Sequence, residues 1–101
     1  DRKQLSEFGV FTVILNLSGK TKKILGKPRF LSRGFIYFKN SQELLKQLQN
    51  CIFDTHREWL SQGIKAKKYD EDVLKTNLEK QLSKLIYKRT EREPIILIAI
   101  I

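Results

Sequence analysis

The alternation of apolar and polar residues near the start of the chain predicts a β-strand. Within residues 8–17, every odd position from Phe11 to Leu17 is apolar, whereas Thr12 and Asn16 occupy even positions. A period of two is typical of a strand with one buried face. We therefore expect the first strand to cover one side of the core.

A turn and a second extended segment follow the first strand. Residues 18–21 have turn composition, and residues 24–38 are rich in apolar and aromatic side chains. Gly26, Pro28 and Gly34 interrupt this second segment. We expect bends or bulges there, because proline cannot donate to a β-ladder and glycine often marks a close backbone approach.

Two stretches with helical periodicity occupy the second half of the chain. The first should begin at the N-cap Asn40, with Glu43 three residues on, and end at Gly63. The second should begin at the N-cap Asp70 and stop before Pro94. Their apolar stripes are Leu44, Leu45, Leu48, Ile52, His56, Trp59 and Leu60 in the first, and Leu74, Leu78, Leu82, Leu85 and Ile86 in the second.

The last seven residues, 95–101, are all apolar and predict a strand without a polar face. The element order β-β-α-α-β predicts an α+β fold with two layers, in which two antiparallel helices cover one face of a three-stranded sheet. The last strand should run antiparallel to the second. Its other face also needs cover, from another copy of the protein, the remainder of a longer chain, or neighbouring loops.

The positive charge of the chain is concentrated in one stretch. The net charge is +9, and residues 17–40 hold seven basic side chains and no carboxylate. Such a focused positive field favours phosphate backbones, so we expect nucleic acid before an anionic membrane as the partner. The alternative is a generic basic composition, in which lysine outnumbers arginine fourteen to six.

The sequence offers few residues for catalysis or metal binding. Cys51 and His56 are the single cysteine and the single histidine, so they cannot form an intramolecular disulfide, a conventional zinc site or a histidine-centred triad. We expect no catalytic residue, metal or cofactor here. Without a signal sequence or a bilayer-length apolar run, the predicted location is cytoplasmic, with no membrane partner. We expect residues 1–101 to be a single domain of a longer protein.

Residues 33–38, Arg-Gly-Phe-Ile-Tyr-Phe, raise the possibility of base stacking. In an RNA-recognition motif, aromatic rings on an open sheet stack on bases, a role that Tyr37 and Phe38 would take here. That motif occupies the third of four strands, whereas this segment is the second extended element and precedes a helix. Packing in and around the core is therefore the expected role of these rings.

Two motifs resemble the carboxy-terminal domain of ribonuclease J. One is Ile24-Leu25-Gly26-Lys27-Pro28-Arg29-Phe30-Leu31-Ser32-Arg33-Gly34-Phe35-Ile36-Tyr37, followed by a capped helix. The other is Leu85-Ile86-Tyr87-Lys88-Arg89-Thr90-Glu91-Arg92-Glu93-Pro94-Ile95-Ile96-Leu97, where the family ends a basic helix and enters the last strand through arginine, a variable residue and proline. The resemblance extends from about Phe8 to Ile101. Lys27 and Arg29 stand where the family tends to have glycine and an acid, and Glu91 replaces a frequent glycine.

The resemblance implies a role as well as a fold. Proteins similar to ribonuclease J degrade and process RNA with a two-zinc metallo-β-lactamase domain, whose motifs are missing from this sequence. The resemblance thus implies a non-catalytic C-terminal accessory domain, with zinc held in the catalytic domain of a parent ribonuclease. In the family this domain supports dimer assembly and full activity. The resemblance therefore implies two protein partners, the catalytic domain of the same parent protein and a second copy of that parent.

We predict that the chain supports subunit assembly and extends a positive path for single-stranded RNA. The predicted interface residues are Ile96, Ile98 and Ile100. Two alternatives remain, a pure assembly module and an independent RNA-binding module with a basic and aromatic sheet face. The predicted RNA-binding residues are Lys20, Lys22, Lys23, Lys27, Arg29, Arg33 and Gly34, with Gly34 permitting a close approach to phosphate.

Overall fold

The computed structural model describes residues 9–34 and 42–101, which form five elements in the predicted order. The predicted α+β class is confirmed. The predicted N-cap Asn40 lies outside the described residues. The strands are β1 (Val10–Leu15), β2 (Arg29–Arg33) and β3 (Ile95–Ile100), and the helices are α1 (Gln42–Ala66) and α2 (Glu71–Thr90).

The first strand lies at the centre of the sheet, in the order β2-β1-β3. β2 pairs with β1 in antiparallel fashion, from Val10 opposite Arg33 to Ile14 opposite Arg29. β3 pairs with the other side of β1 in parallel, beginning with Val10 opposite Ile95. β3 therefore runs antiparallel to β2, as predicted, although the two strands do not pair with each other.

The alternation in β1 determines which face of the sheet is buried. Phe11, Val13 and Leu15 are fully buried, and the β1–β3 register places Ile96, Ile98 and Ile100 on the same face. Burial of one large aliphatic side chain contributes roughly 1.5–3 kcal/mol relative to exposure, so this joint core holds the sheet and helices together. The buried helix residues in that core are Leu44, Leu48, Ile52 and Trp59 of α1 and Leu74, Leu78, Leu82 and Ile86 of α2.

The prediction that Gly63 ends the first helix is wrong. α1 continues to Ala66, and Lys67 takes the left-handed conformation with φ 57° that terminates it. The N–H of Lys68 then donates to the carbonyl of Gly63 at 3.0 Å, as expected of a Schellman-type end. Gly63 is instead a packing position, because any Cβ there would collide with the ring of Tyr69.

The predicted N-cap of the second helix is confirmed, and the helix ends before Pro94 as predicted. The side chain of Asp70 accepts a hydrogen bond from the N–H of Asp72 at 2.9 Å, so Asp70 is the N-cap. At the other end, Glu91 is left-handed and its N–H donates to the carbonyl of Tyr87 at 2.8 Å. The chain then passes the buried Pro94 and enters β3.

Candidate nucleic-acid interface

The basic residues predicted to bind RNA lie in the β1–β2 hairpin and in the edge strand β2 that follows it. A backbone hydrogen bond spans the turn of the hairpin between β1 and β2, in which the N–H of Ser18 donates to the carbonyl of Lys23 at 2.9 Å. The hydroxyl oxygen of Ser18 accepts from the N–H groups of Lys20 and Thr21 at 3.3 and 3.2 Å. These bonds turn the chain so that Lys20 and Lys23 are exposed to solvent.

Beyond the hairpin, the second strand continues the basic edge. Lys27 is exposed, and the buried Pro28 immediately precedes Arg29, the first residue of the strand. Arg29 and Arg33 are both exposed and lie four residues apart, which corresponds to about 13 Å along a strand. Because side chains alternate in a strand, both arginines and the intervening Leu31 point away from the helices. Leu31 keeps 58% of its surface exposed.

Lys22 differs from the other basic residues of this edge. Its Nζ lies 3.4 Å from a carboxylate oxygen of Glu71 in the first turn of α2. Its backbone is left-handed, with φ 61°, and its N–H donates to the carbonyl of Ser18 at 2.9 Å. The positive charge of Lys22 is therefore partly neutralised, and its main role in the fold is to join the hairpin to the helical layer.

The buried His56 of α1 holds the same hairpin against the helical layer through a hydrogen bond. Its Nε2 lies 2.8 Å from the carbonyl oxygen of Lys22, and since a carbonyl only accepts, Nε2 must carry a proton and donate it. A backbone carbonyl of the hairpin thus satisfies this buried histidine. The sequence did not predict that the carbonyl of Lys22 accepts this hydrogen bond. Its one signal was a histidine on an apolar helix face, because a buried histidine needs a hydrogen-bond partner.

The glycine predicted to approach phosphate makes a close approach within the protein. Gly34 is left-handed, with φ 77°, and a Cβ built on it would lie 3.2 Å from Cα of Gly9. Gly9 is left-handed as well, with φ 82°. The two glycines let the backbones at the end of the β1–β2 ladder pack against each other, so the conformation of Gly34 has a structural explanation that does not involve a ligand.

The structure brings together only part of the predicted site. Lys20, Lys23, Lys27, Arg29 and Arg33 share the β2 side of the sheet, and we call these five residues the cationic edge. Glu71 adds a carboxylate at the hairpin that the acid-free sequence stretch did not reveal. The aromatic residues Phe35, Tyr37 and Phe38 and the basic Lys39 lie outside the described residues.

The predicted interface residues lie at the opposite side of the sheet. Ile96 is buried, and Ile98 and Ile100 are partly buried against the same core. Their neighbour Leu97 points to the other face of the sheet and is 50% exposed. The side chains of the three isoleucines therefore contact the core of their own chain, and the most exposed apolar side chains of this segment belong to Leu97 and Ile101.

The helical layer carries a groove of mixed charge between α1 and α2. Asp54 and Glu58 of α1 line it together with Lys84 and Lys88 of α2. Cys51 also lines the groove, and burial raises the pKa of its thiol above the ordinary value, with a smaller opposing effect from a hydrogen bond to Thr55. Because its acids lie on α1 and its bases on α2, the groove lacks the uniform positive charge of the cationic edge.

Within residues 9–34 and 42–101, no three His, Cys, Asp or Glu residues are grouped so that they could hold a metal ion. No helix in the same ranges is both long and apolar enough to cross a membrane.

Comparison with known proteins identifies the family. A model of the ribonuclease J C-terminal domain matches residues 1–101. The protein named Ribonuclease J 2 from Staphylococcus epidermidis is 34% identical over 97 residues, and the protein of the same name from Staphylococcus aureus is 33% identical over 97 residues. Each alignment covers 96% of this chain but 17% of the relative's length. This chain belongs to the ribonuclease J C-terminal domain family.

Proposed function

We propose that this chain is the non-catalytic accessory domain of a zinc-dependent RNA-degrading enzyme, and that it extends the path of single-stranded RNA while supporting subunit assembly. The family supports the parent activity, because the matched relatives are named ribonucleases. Any zinc would belong to the parent's catalytic domain, in which metal activates water for attack on phosphodiesters. The chain itself would contribute binding and assembly.

The observation that carries the RNA-binding part is the exposure of five cations in one hairpin and in the edge strand that follows it. Lysine and arginine side chains that neutralise phosphates supply most of the sequence-independent affinity for nucleic acid. The cationic edge has the arginines 29 and 33 on one face and lysines from the hairpin beside them. Since these groups contact phosphate rather than base edges, the proposed binding does not depend on RNA sequence.

The salt dependence of RNA binding tests this proposal. If the cationic edge neutralises about four phosphates, the logarithm of the affinity should fall with the logarithm of salt concentration at a slope of roughly −3. Fluorescence anisotropy with a labelled oligouridine measures this slope on the 101-residue chain. The variant Lys23→Glu/Lys27→Glu/Arg29→Glu/Arg33→Glu should lose nearly all of the binding.

A matched control reverses four charges elsewhere. The control variant changes the net charge by the same amount as the edge variant, but its four substitutions lie on the helices. They are Lys46→Glu, Lys80→Glu, Lys84→Glu and Lys88→Glu. This control should lower affinity only through the general loss of positive potential, so its salt slope should stay close to that of the unmodified chain. Equal losses in both variants, or a slope near zero in the unmodified chain, would contradict RNA binding at this edge.

The pure assembly role is the second candidate, and in it the basic side chains would not contact RNA. Lys22 already serves the fold of its own chain in this way. Its bond to Glu71 and its anchored carbonyl give Lys22 a structural function. If RNA handling by the full-length protein is unchanged when the other basic residues of the edge are reversed, assembly alone explains the domain.

A further inference from the structure

The groove between α1 and α2 carries opposite charges on its two walls. Its volume is about 780 Å³, with Asp54 and Glu58 on the α1 wall and Lys84 and Lys88 on the α2 wall. Asp54 pairs with the exposed Arg57 of its own helix at 3.1 Å. No ion pair within residues 9–34 and 42–101 spans the groove. The two walls therefore present their charges to an occupant instead of neutralising each other.

The charges on each wall are spaced like the side chains of an extended peptide. Asp54 and Glu58 are four residues apart on α1, and so are Lys84 and Lys88 on α2. Four residues of helix rise by about 6 Å and return to the same face. In an extended chain, side chains two residues apart lie on the same side and are separated by about 6.7 Å. A strand lying along the groove would thus direct alternate side chains to the acidic and the basic wall.

We propose that this groove binds an extended segment of another protein in which basic and acidic residues alternate. The basic side chains of the segment contact Asp54 and Glu58, and its acidic side chains contact Lys84 and Lys88. From Gln47 to residue 62, the α1 wall is about 22 Å long, which accommodates about seven extended residues. This binding goes beyond the RNA-binding and assembly roles and requires neither of them.

Carboxamide side chains in the groove match the main chain of such a segment. An extended segment outside a sheet has unpaired N–H and C=O groups, and a Gln or Asn side chain can both donate to and accept from them. Hydrogen bonds to the groove would replace those that the segment makes with water, so its main chain would not be left unsatisfied. The five carboxamides are Gln47, Asn50 and Gln62 on α1 and Asn77 and Gln81 on α2.

Two other occupants fit the groove less well. A partner helix has its main chain already satisfied and needs an apolar surface to cover. The apolar lining here is small, because Trp59 is only 3% exposed and its apolar neighbours are Cys51 and Leu85. A nucleic acid would place its phosphates beside Asp54 and Glu58, which repel them. The mixed charge and the carboxamides therefore favour an extended peptide over both.

Fluorescence anisotropy of the 101-residue chain with two labelled eight-residue peptides tests the proposal. In the first peptide lysine and glutamate alternate, and in the second four lysines precede four glutamates, so length, composition and net charge are equal. The alternating peptide should bind with a dissociation constant below about 1 mM. The block peptide should bind at least about tenfold more weakly, because it brings like charges together on one wall or the other.

Substitutions should affect the alternating peptide according to the charge of each wall. Asp54→Lys/Glu58→Lys makes both walls basic, and Lys84→Glu/Lys88→Glu makes both walls acidic. Each double variant should weaken binding at least about tenfold. The matched control Lys46→Glu/Lys80→Glu produces the same change in net charge as the second variant, but outside the groove, and should leave the affinity unchanged.

A combined variant separates charge recognition from damage to the fold. Asp54→Lys/Glu58→Lys/Lys84→Glu/Lys88→Glu exchanges the charges of the two walls. An alternating peptide that shifts by one residue matches the exchanged walls, so the combined variant should recover the affinity that each double variant loses. A loss caused by distortion would not be reversed by further substitutions. Circular dichroism checks folding, and if a variant does not fold, the two peptides on the unmodified chain decide.

Three results would overturn the proposal: no binding of the alternating peptide up to about 1 mM, equal binding of the block peptide, or a folded combined variant that does not recover affinity. Labelled oligouridine tests the other class of ligand. An equal loss of oligouridine binding in Lys84→Glu/Lys88→Glu and in the cationic-edge variant would assign the groove to RNA instead. Because the wall residues lie outside the cationic edge, failure of peptide binding with an intact salt slope leaves the proposed function in place.

Discussion

The two edges of the sheet differ in every property that governs association. β2 has five residues, begins after Pro28 and exposes two arginines, so it cannot readily pair with a copy of itself. β3 has six residues without a charge. Both edges pair with the same central strand. The comparison teaches that a small domain can carry a positively charged edge and an uncharged edge on opposite sides of one central strand.

The largest loss of stability should follow from a substitution in β1, the central strand with which both edge strands pair. Phe11 is fully buried in β1 and stacks on Phe30 of β2, with ring centroids 5.5 Å apart. Phe11→Ala should lower the free energy of unfolding by about 3–5 kcal/mol, a large part of the total for a domain of this size. Urea denaturation measures the loss, with Thr12→Ala on the opposite face as the control. Loss of both RNA binding and assembly without loss of stability would contradict a shared scaffold.

His56→Ala should cause a smaller loss of stability, and the local loosening of the structure should be confined to the hairpin that carries the cationic edge. The change removes the donor to the carbonyl of Lys22 and leaves that carbonyl without its histidine partner, at a cost of about 1–3 kcal/mol. Urea denaturation gives the loss, and Thr55→Ala on the same helix is the control. Amide exchange should accelerate at Lys22 but not at Ile101 in β3. Equal acceleration at both would show that the hairpin is not the part that His56 stabilises.

The contrast between Lys22 and Lys23 sharpens the account of the cationic edge. Lys23→Ala should make the salt slope of RNA binding less steep by about 0.7, the value for one phosphate contact in a single strand. Lys22→Ala should change the slope less, because Glu71 already pairs with its ammonium group, and should cost at most about 1 kcal/mol of stability. Anisotropy titrations across salt measure both variants. A larger slope change for Lys22→Ala would mean that the ion pair opens when RNA binds.

The smallest change in stability should come from the titration of Cys51, which lies in α1, away from both edge strands. Burial raises the pKa of its thiol, so the folded state disfavours the thiolate. The resulting stability is fully present below the unfolded pKa of about 8.5 and is lost as the pH rises through the higher folded pKa. Urea denaturation above that pH should show a decline that Cys51→Ala lacks. RNA binding and assembly should be unaffected by this substitution, and a change in either would contradict the assignment of these roles to the edges.

Most of the architecture was predictable because periodicity reports burial directly. The odd positions of β1 and the leucines of α2 are buried as their spacing predicts. The end of α1 was not predictable, since a lysine can take the left-handed position and a glycine can serve packing against Tyr69 instead. The parallel pairing of β3 with β1 also depends on contacts between residues far apart in sequence, which local patterns do not encode.

The exposure of the basic residues was predictable from the sequence, but the partial neutralisation of Lys22 was not. The stretch from Lys20 to Arg33 does collect exposed cations on one edge. The carboxylate that pairs with Lys22 comes from Glu71, forty-nine residues away. No spacing rule within the stretch could reveal a partner on another element, and the same holds for the histidine that binds the Lys22 carbonyl.

The central claim is that the two edges have separate tasks, and photo-crosslinking tests it most directly. A single-stranded RNA containing 4-thiouridine would be irradiated with the 101-residue chain, and the modified peptides would be mapped by mass spectrometry. The account predicts crosslinks within residues 20–33 and none within residues 95–101, at every protein concentration used. Crosslinks concentrated in β3 or spread evenly over the helices would contradict it.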